Sequence, residues 1–114
     1  MAEVTDPARG LLNMNGIQLE LDGGLNGRLK GEKIMIAIRP ERFSFVTEEK
    51  KTNILDCRIE NITFLGSVVR IQMEIGGEMF NMDTFNNPFL ELPAVGAQEK
   101  VMCSKEAVLV LESA

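Results

Sequence analysis

Apolar and polar residues alternate with a period of two along most of the chain. Residues 17–22 and 69–75 show this pattern most clearly, because Ile, Leu, Val and Met occupy every second position. Such alternation is typical of β-strands that bury one face, and no stretch sustains the period of an amphipathic helix. The pattern therefore predicts an all-β protein.

Two segments depart from simple alternation. Residues 34–38 read Ile-Met-Ile-Ala-Ile and are apolar at every position, which predicts a strand in the centre of a sheet. Residues 53–64 are long for one strand, and their apolar positions change phase in the middle. This change predicts a β-bulge or a sharp bend that lets one strand serve two sides of a small barrel.

Glycine positions predict where the strands turn. Gly76 and Gly77 lie between two alternating segments and indicate a tight two-residue hairpin. Gly66, followed by Ser67, indicates a second turn. The last apolar segments, at 101–103 and 108–111, predict a closing hairpin that turns near Lys105 and Glu106.

About eight short strands with regular turns predict an antiparallel barrel or sandwich. The more specific expectation is an OB-like antiparallel barrel with additional strands. Residues 1–11 are polar and interrupted by Pro7 and Gly10, so they are expected to form a flexible lead-in. Residues 12–112 are expected to form a single domain.

Composition narrows the function classes. The chain has 114 residues and a net charge of −5, with acidic and basic residues intermixed, which disfavours a nucleic-acid phosphate backbone as the partner. No apolar run approaches the length of a membrane span or a signal peptide. Cys57 and Cys103 alternate with apolar residues, which predicts two buried thiols in a reducing compartment.

The chemistry of most enzymes is missing from the sequence. There is no histidine, hence no Ser-His or Cys-His pair and no common zinc site. No P-loop, dinucleotide-binding glycine motif or nucleophile elbow occurs. The carboxylates are expected in turns or on exposed strand faces, so the chain is predicted not to be an enzyme.

Four motifs in order resemble one known family. They are Ile-Arg-Pro-Glu at 38–41, Ile-Thr-Phe-Leu-Gly-Ser at 62–67, the glycine pair at 76–77, and the Gly96 to 108–111 closing pattern. Together they resemble the TOBE domain, the OB-like regulatory module at the C-terminus of ABC-importer ATPase subunits. The resemblance covers residues 12 to 112. The chain departs from the family in placing Ala97 and Gln98, rather than an acidic residue, after Gly96. The ATPase domain that normally precedes this module is not part of this sequence, so the chain is expected to be either an excised fragment or a free-standing accessory protein.

The resemblance implies a regulatory role without a cofactor in this chain. ATP and magnesium would bind in the ATPase domain of the parent subunit. The partners would be a second copy through the parent ATPase dimer and, indirectly, the permease subunits. A small-molecule ligand is a further candidate, whereas nucleic acid and direct membrane insertion are not expected. The implied location is cytoplasmic, peripheral at the inner face of the cell membrane.

Two other classes of function compete with the regulatory one. A free-standing module of the same fold could bind a small oxyanion, which would require backbone amides with Ser, Thr or Lys side chains gathered together. An OB-type single-strand nucleic-acid binder would require stacking aromatic residues and a basic groove. Six Phe, no Tyr or Trp and the net negative charge disfavour this last class.

The candidate contact residues are Arg39, Glu41 and Ser67. In extended geometry Arg39 and Glu41 would project from one face about 6.6 Å apart, with Pro40 stiffening the link between them. They could anchor a neighbouring subunit through the planar donors of Arg, or simply end a strand at the surface. Ser67 could face a ligand, while Gly66 has a structural role in the turn.

Overall fold

The computed structural model describes residues 2–23, 25, 27–46, 52–88 and 91–111. These residues form ten β-strands and two short 3₁₀ turns, and they include no α-helix. The strands are β1 Ala2–Asp6, β2 Leu11–Met14, β3 Ile17–Glu20, β4 Lys33–Ile38, β5 Ser44–Phe45, β6 Asn53–Leu65, β7 Val68–Ile75, β8 Glu78–Phe85, β9 Gln98–Cys103 and β10 Val108–Leu111. The all-β prediction is confirmed.

The strands form two curled antiparallel sheets of five strands each. The order is β10-β4-β1-β2-β3 in the first sheet and β5-β9-β6-β7-β8 in the second. Strand β4 has a partner on each side, as predicted for a central strand. Only one of its faces is fully covered, because Ile34 and Ile38 are buried whereas Met35 is 47% exposed.

The N-terminal segment is not a flexible lead-in. Residues Ala2–Asp6 form β1, which pairs with β2 on one side and β4 on the other. Ala2 and Val4 alternate with Glu3 and are buried in the core, so the short segment obeys the same period of two. The expectation for residues 1–11 is therefore corrected, and β2 already begins at Leu11.

The predicted closing hairpin is also wrong. Strands β9 and β10 lie in different sheets, with β9 paired to β5 and β6 and β10 paired to β4. A 3₁₀ turn at Lys105–Ala107, the Lys105 turn, redirects the chain between them. A matching 3₁₀ turn at Pro40–Arg42, the Pro40 turn, joins β4 to β5. The chain thus passes between the sheets at two neighbouring places, from β4 to β5 and from β9 to β10.

The bend predicted in the long strand is confirmed. The pairing of β6 with β7 shifts register between Ile59 and Asn61, which marks a bulge. Before the bulge, Leu55, Cys57 and Ile59 point into the core. The extra residue reverses the phase, so that Ile62 continues the inward face beyond it.

Both cysteines are buried thiols, as predicted. Burial raises the pKa of the Cys57 thiol to about 11, and the negative charge of Glu99 acts in the same direction. The thiol therefore stays protonated at neutral pH and behaves as a small apolar side chain.

A side-chain amide connects the two sheets. The backbone N–H of Glu20 at the end of β3 donates to Asn53 Oδ1 at 2.8 Å, and Asn53 Nδ2 donates to the Glu20 carbonyl at 3.0 Å. Asn53 is only 3% exposed and is the single buried polar residue in the described part of the chain. The Asn53 amide bonds to the Glu20 backbone as a neighbouring strand would. It thereby pairs the N–H and C=O at the edge of β3, where β3 meets β6.

Replacing Asn53 by alanine is expected to lower the free energy of unfolding by about 1–3 kcal/mol, because the part-buried Glu20 N–H and C=O would lose their partners. Gln72→Ala, which removes an exposed amide from β7, serves as the control and should cost well under 1 kcal/mol. Urea denaturation of both variants measures the difference. Equal midpoints for the two variants would contradict the role assigned to Asn53.

Candidate functional site

The Arg-Pro-Glu motif forms a turn rather than an extended strand end. Arg39 has extended backbone angles, and the Pro40 turn begins directly after it. The N–H of Arg42 donates to the Arg39 carbonyl at 3.0 Å. Proline favours this position because its fixed φ suits the first residue of a helical turn and its missing N–H is not needed there. The expected extended geometry, with Arg39 and Glu41 on one strand face, is therefore wrong.

The side chains of the Pro40 turn are open to solvent. Arg39, Glu41 and Arg42 are all exposed. Within the described residues, none of the three forms an ion pair or a side-chain hydrogen bond. The turn thus presents one carboxylate and two guanidinium groups that no side chain in the described ranges engages.

The Pro40 turn packs beside β8, which lies at one edge of the second sheet. Phe43, just after the turn, is buried and meets the Phe80 ring edge-to-face with a centroid distance of 6.2 Å. This contact holds the turn against the sheet. Between them lies a groove of about 360 Å³, lined by Glu41, Phe43, Val68, Asp83, Thr84 and Phe85.

An exposed apolar surface continues the groove. The register of the second sheet places Leu65, Val68 and Phe85 directly opposite one another on β6, β7 and β8, so their side chains share one face. We call these three residues the apolar row. Leu65 is 50% exposed and Phe85 is 76% exposed. Because Val68 and Phe85 also line the groove, the row and the groove form one surface.

The turn formed by Gly66 and Ser67, the Ser67 turn, lies next to this surface. Gly66 has φ of +75°, as a tight hairpin turn requires. The Gly66 carbonyl accepts a hydrogen bond from Asn86 Nδ2 at 3.2 Å, and the Ser67 carbonyl accepts one from the Asn86 N–H at 2.9 Å. Ser67 is exposed and immediately precedes Val68, although it is not among the residues that line the groove.

The remaining predicted turn lies at the opposite end of β7. Gly76 and Gly77 connect β7 to β8 with φ of +60° and +81°, which confirms the predicted two-residue turn. There they contact the β2–β3 turn, whose Asn15 side chain donates to the Gly76 carbonyl. The two glycines therefore lie at one end of β7. The groove with Glu41 and the Ser67 turn lie at the other end.

The two carboxylates that line the groove, Glu41 and Asp83, differ in their ion pairing. Arg70 donates two hydrogen bonds to Asp83, Nε to Oδ1 at 2.8 Å and Nη2 to Oδ2 at 2.9 Å. The hydrogen bonds from Arg70 lower the pKa of Asp83, although partial burial opposes the shift. Asp83 is therefore ionised and paired, which makes Glu41 the unpaired carboxylate of this groove.

Sequence reasoning missed Phe85 and the Arg70–Asp83 pair. Phe80 and Met82 share one parity and face inward, whereas Phe85 has the opposite parity. An aromatic residue that breaks the alternation at a strand end is a signal for an outward-facing ring, and it was available in the sequence. The pair depends on the β7–β8 register, which places Arg70 directly opposite Asp83.

The described residues include no group of three or more His, Cys, Asp or Glu side chains arranged to hold a metal ion. No helix within them is long and apolar enough to cross a membrane.

The comparison with known proteins identifies the family. A family model, the TOBE domain, matches residues 36–111. No curated protein matches the chain significantly. The matched segment runs from inside β4 to the end of β10, so it contains the Pro40 turn, the Ser67 turn and every residue that lines the groove. TOBE domains are small, non-catalytic and transport-associated, with an OB-like fold. With its all-β architecture and a match over most of its length, this chain belongs to the TOBE domain family.

Proposed function

We propose that the chain is a regulatory domain of an ABC importer's ATP-binding subunit and that it modulates ATP-driven solute uptake through the groove and the apolar row. The observation that carries this proposal is the unpaired Glu41 carboxylate beside the apolar row, in which Leu65 and Phe85 are exposed and Val68 is half-buried. Contiguous exposed apolar residues rimmed by charge are typical of interaction surfaces. A regulatory domain needs such a surface, whereas it needs no catalytic groups of its own.

The wider assembly follows from the same proposal. ATP and magnesium would bind in an ATPase domain of the parent subunit, and the domain would reach a second copy through that subunit's dimer. Permease subunits would be indirect partners. The complex would place the domain at the cytoplasmic face of the cell membrane, without inserting it into the bilayer.

The oxyanion-binding alternative has less support from the described grooves. Four grooves in the described part of the chain each have carboxylates in their lining: Glu91 and Glu99, Asp56 and Glu99, Glu41 and Asp83, and Glu3 and Glu78. Lysines line two of these grooves, Lys100 in the second, where it pairs with Asp56, and Lys33 in the fourth. A carboxylate repels an anionic ligand at short range. A protein contact at the groove therefore fits these linings better than an oxyanion does.

The test is Glu41→Ala, measured in the isolated domain and in the assembled transporter. The unfolding free energy of the domain should change by less than about 0.5 kcal/mol, because Glu41 is exposed and makes no ion pair among the described residues. The ATPase rate of the transporter, or its response to substrate, should change several-fold if the site carries a coupling of about 1–3 kcal/mol.

Glu106→Ala is the matched control. Glu106 is the second residue of the Lys105 turn, as Glu41 is of the Pro40 turn, and both are exposed. Glu106→Ala should leave both measurements unchanged. Destabilisation of the isolated domain by more than about 2 kcal/mol in Glu41→Ala, with normal regulation of the transporter, would make Glu41 a structural residue and refute the proposal.

A further inference from the structure

We propose that the groove and the apolar row bind a segment of a partner protein in which an apolar side chain is adjacent to a lysine or arginine. This inference rests on the proposed function only in treating this surface as a contact site. It adds the chemistry of the partner, which the family membership does not specify.

The apolar part of the partner follows from the lining of the groove. The apolar lining consists of the buried Phe43 together with Val68 and Phe85. The volume of about 360 Å³ accommodates one large apolar side chain with its flanking backbone. Inserting such a side chain would cover the Phe85 ring, which is 76% exposed, and removing that ring from water would favour binding.

The charged part follows from the difference between the two carboxylates. Arg70 already pairs with Asp83 through both oxygens. Glu41 has no such partner among the described residues, and it lines the same groove. A partner that covered Glu41 without bringing a cation would leave a desolvated carboxylate unpaired, which is unfavourable. The complementary group is therefore a lysine or arginine next to the inserted apolar residue.

The cations of the Pro40 turn do not meet this need. Arg39 and Arg42 flank Glu41 in sequence, yet neither lines the groove. Their side chains are exposed and form no ion pair with Glu41. They would also discourage a partner segment with several cations, so one positive charge beside one apolar side chain fits best.

The test uses the full chain, labelled with ¹⁵N, and three capped tetrapeptides. Acetyl-GRFG-amide carries both required groups, acetyl-GEFG-amide reverses the charge, and acetyl-GRAG-amide removes the apolar group. We expect the first peptide to bind with a dissociation constant of about 1 mM and to shift the amide signals of residues 41–43, 67–68 and 83–85. The other two peptides should bind at least about tenfold more weakly.

Two variants with matched controls locate the binding. Glu41→Gln and Phe85→Ala should each weaken binding of the first peptide about fivefold or more. Both side chains are exposed, so the amide spectrum should remain that of the folded domain. Glu106→Gln is the control for Glu41→Gln, because it replaces the equivalent carboxylate of the Lys105 turn. Leu29→Ala is the control for Phe85→Ala, because it removes another exposed apolar side chain, which is 74% exposed. Both controls should leave the affinity unchanged.

Several outcomes would overturn the inference. They are equal binding of all three peptides, no binding, shifts confined to the other grooves, or full affinity in both Glu41→Gln and Phe85→Ala. A concentration-dependent dimer in light scattering that Phe85→Ala abolishes would assign the surface to a second copy and would equally refute the peptide proposal. Failure of the proposed function is distinguishable, because the transporter ATPase would then be unchanged in Glu41→Ala while the wild-type chain still binds the first peptide and Glu41→Gln still weakens that binding.

Discussion

Replacing Ile38 by aspartate is expected to unfold the domain. Ile38 is 6% exposed, pairs with Val108 of β10 and belongs to the core shared by both sheets. The new carboxylate would be buried among apolar side chains, at a cost of about 3–5 kcal/mol. Since a domain of this size is stable by only about 5–15 kcal/mol, this loss removes much or all of its stability. Chemical denaturation followed by far-ultraviolet circular dichroism measures it.

Met35→Asp is the control for this experiment. Met35 lies on the same strand but on the opposite face, where it is 47% exposed and pairs across the sheet with the exposed Leu111. Its replacement should cost less than about 1 kcal/mol, because the carboxylate stays in water. A midpoint near wild type for Ile38→Asp, or equal losses in both variants, would show that the assignment of faces on β4 is wrong.

Gly76→Ala is expected to lower the free energy of unfolding by about 2–5 kcal/mol. Gly76 has φ of +60°, a conformation that costs an alanine about 1–2 kcal/mol. A Cβ at this position would also lie 2.8 Å from the Met14 carbonyl oxygen and 3.2 Å from Ile17 Cδ1. The oxygen belongs to the backbone, so relief requires movement of a whole turn, and overpacking of this kind costs about 1–3 kcal/mol more.

Gly66→Ala separates the two contributions. Gly66 has a similar φ of +75°, but nothing lies within 4 Å of a Cβ placed there. Its replacement should therefore cost only the backbone part, about 1–2 kcal/mol. The difference between the two variants in urea denaturation reports the close packing of the β7–β8 turn on the β2–β3 turn. If Gly66→Ala proves as damaging as Gly76→Ala, that packing contributes little to stability.

Features that depend on local structure were predictable from the sequence. The paired positive φ angles at Gly76 and Gly77 and the turn at Gly66 follow from the conformational freedom of glycine between alternating segments. The bulge in β6 follows from a change of phase, because a strand can only keep both apolar sets inward by inserting a residue. The burial of Cys57 and Cys103 follows from their place in the alternation.

Pairing between distant strands was not predictable in the same way. A period of two predicts which face of a strand is buried, but it does not predict which strand lies beside it. For this reason β9 and β10 looked like a hairpin, although each pairs with a strand far earlier in the chain. For the same reason β1 was not predicted. Its five residues have no strong local strand pattern, and pairing with β2 and β4 stabilises them.

The candidate site shows the same division. The sequence by itself determined that Arg39, Pro40 and Glu41 end an apolar strand and that a glycine turn follows the 62–65 segment, because strand termination and turn formation are local properties of Pro and Gly. Only the tertiary structure decided that the Pro40 turn packs beside β8 and that Phe85 faces outward next to Glu41. These positions depend on how two sheets curl and join around one core. That arrangement is a sum of long-range contacts, and no single segment of the chain encodes it.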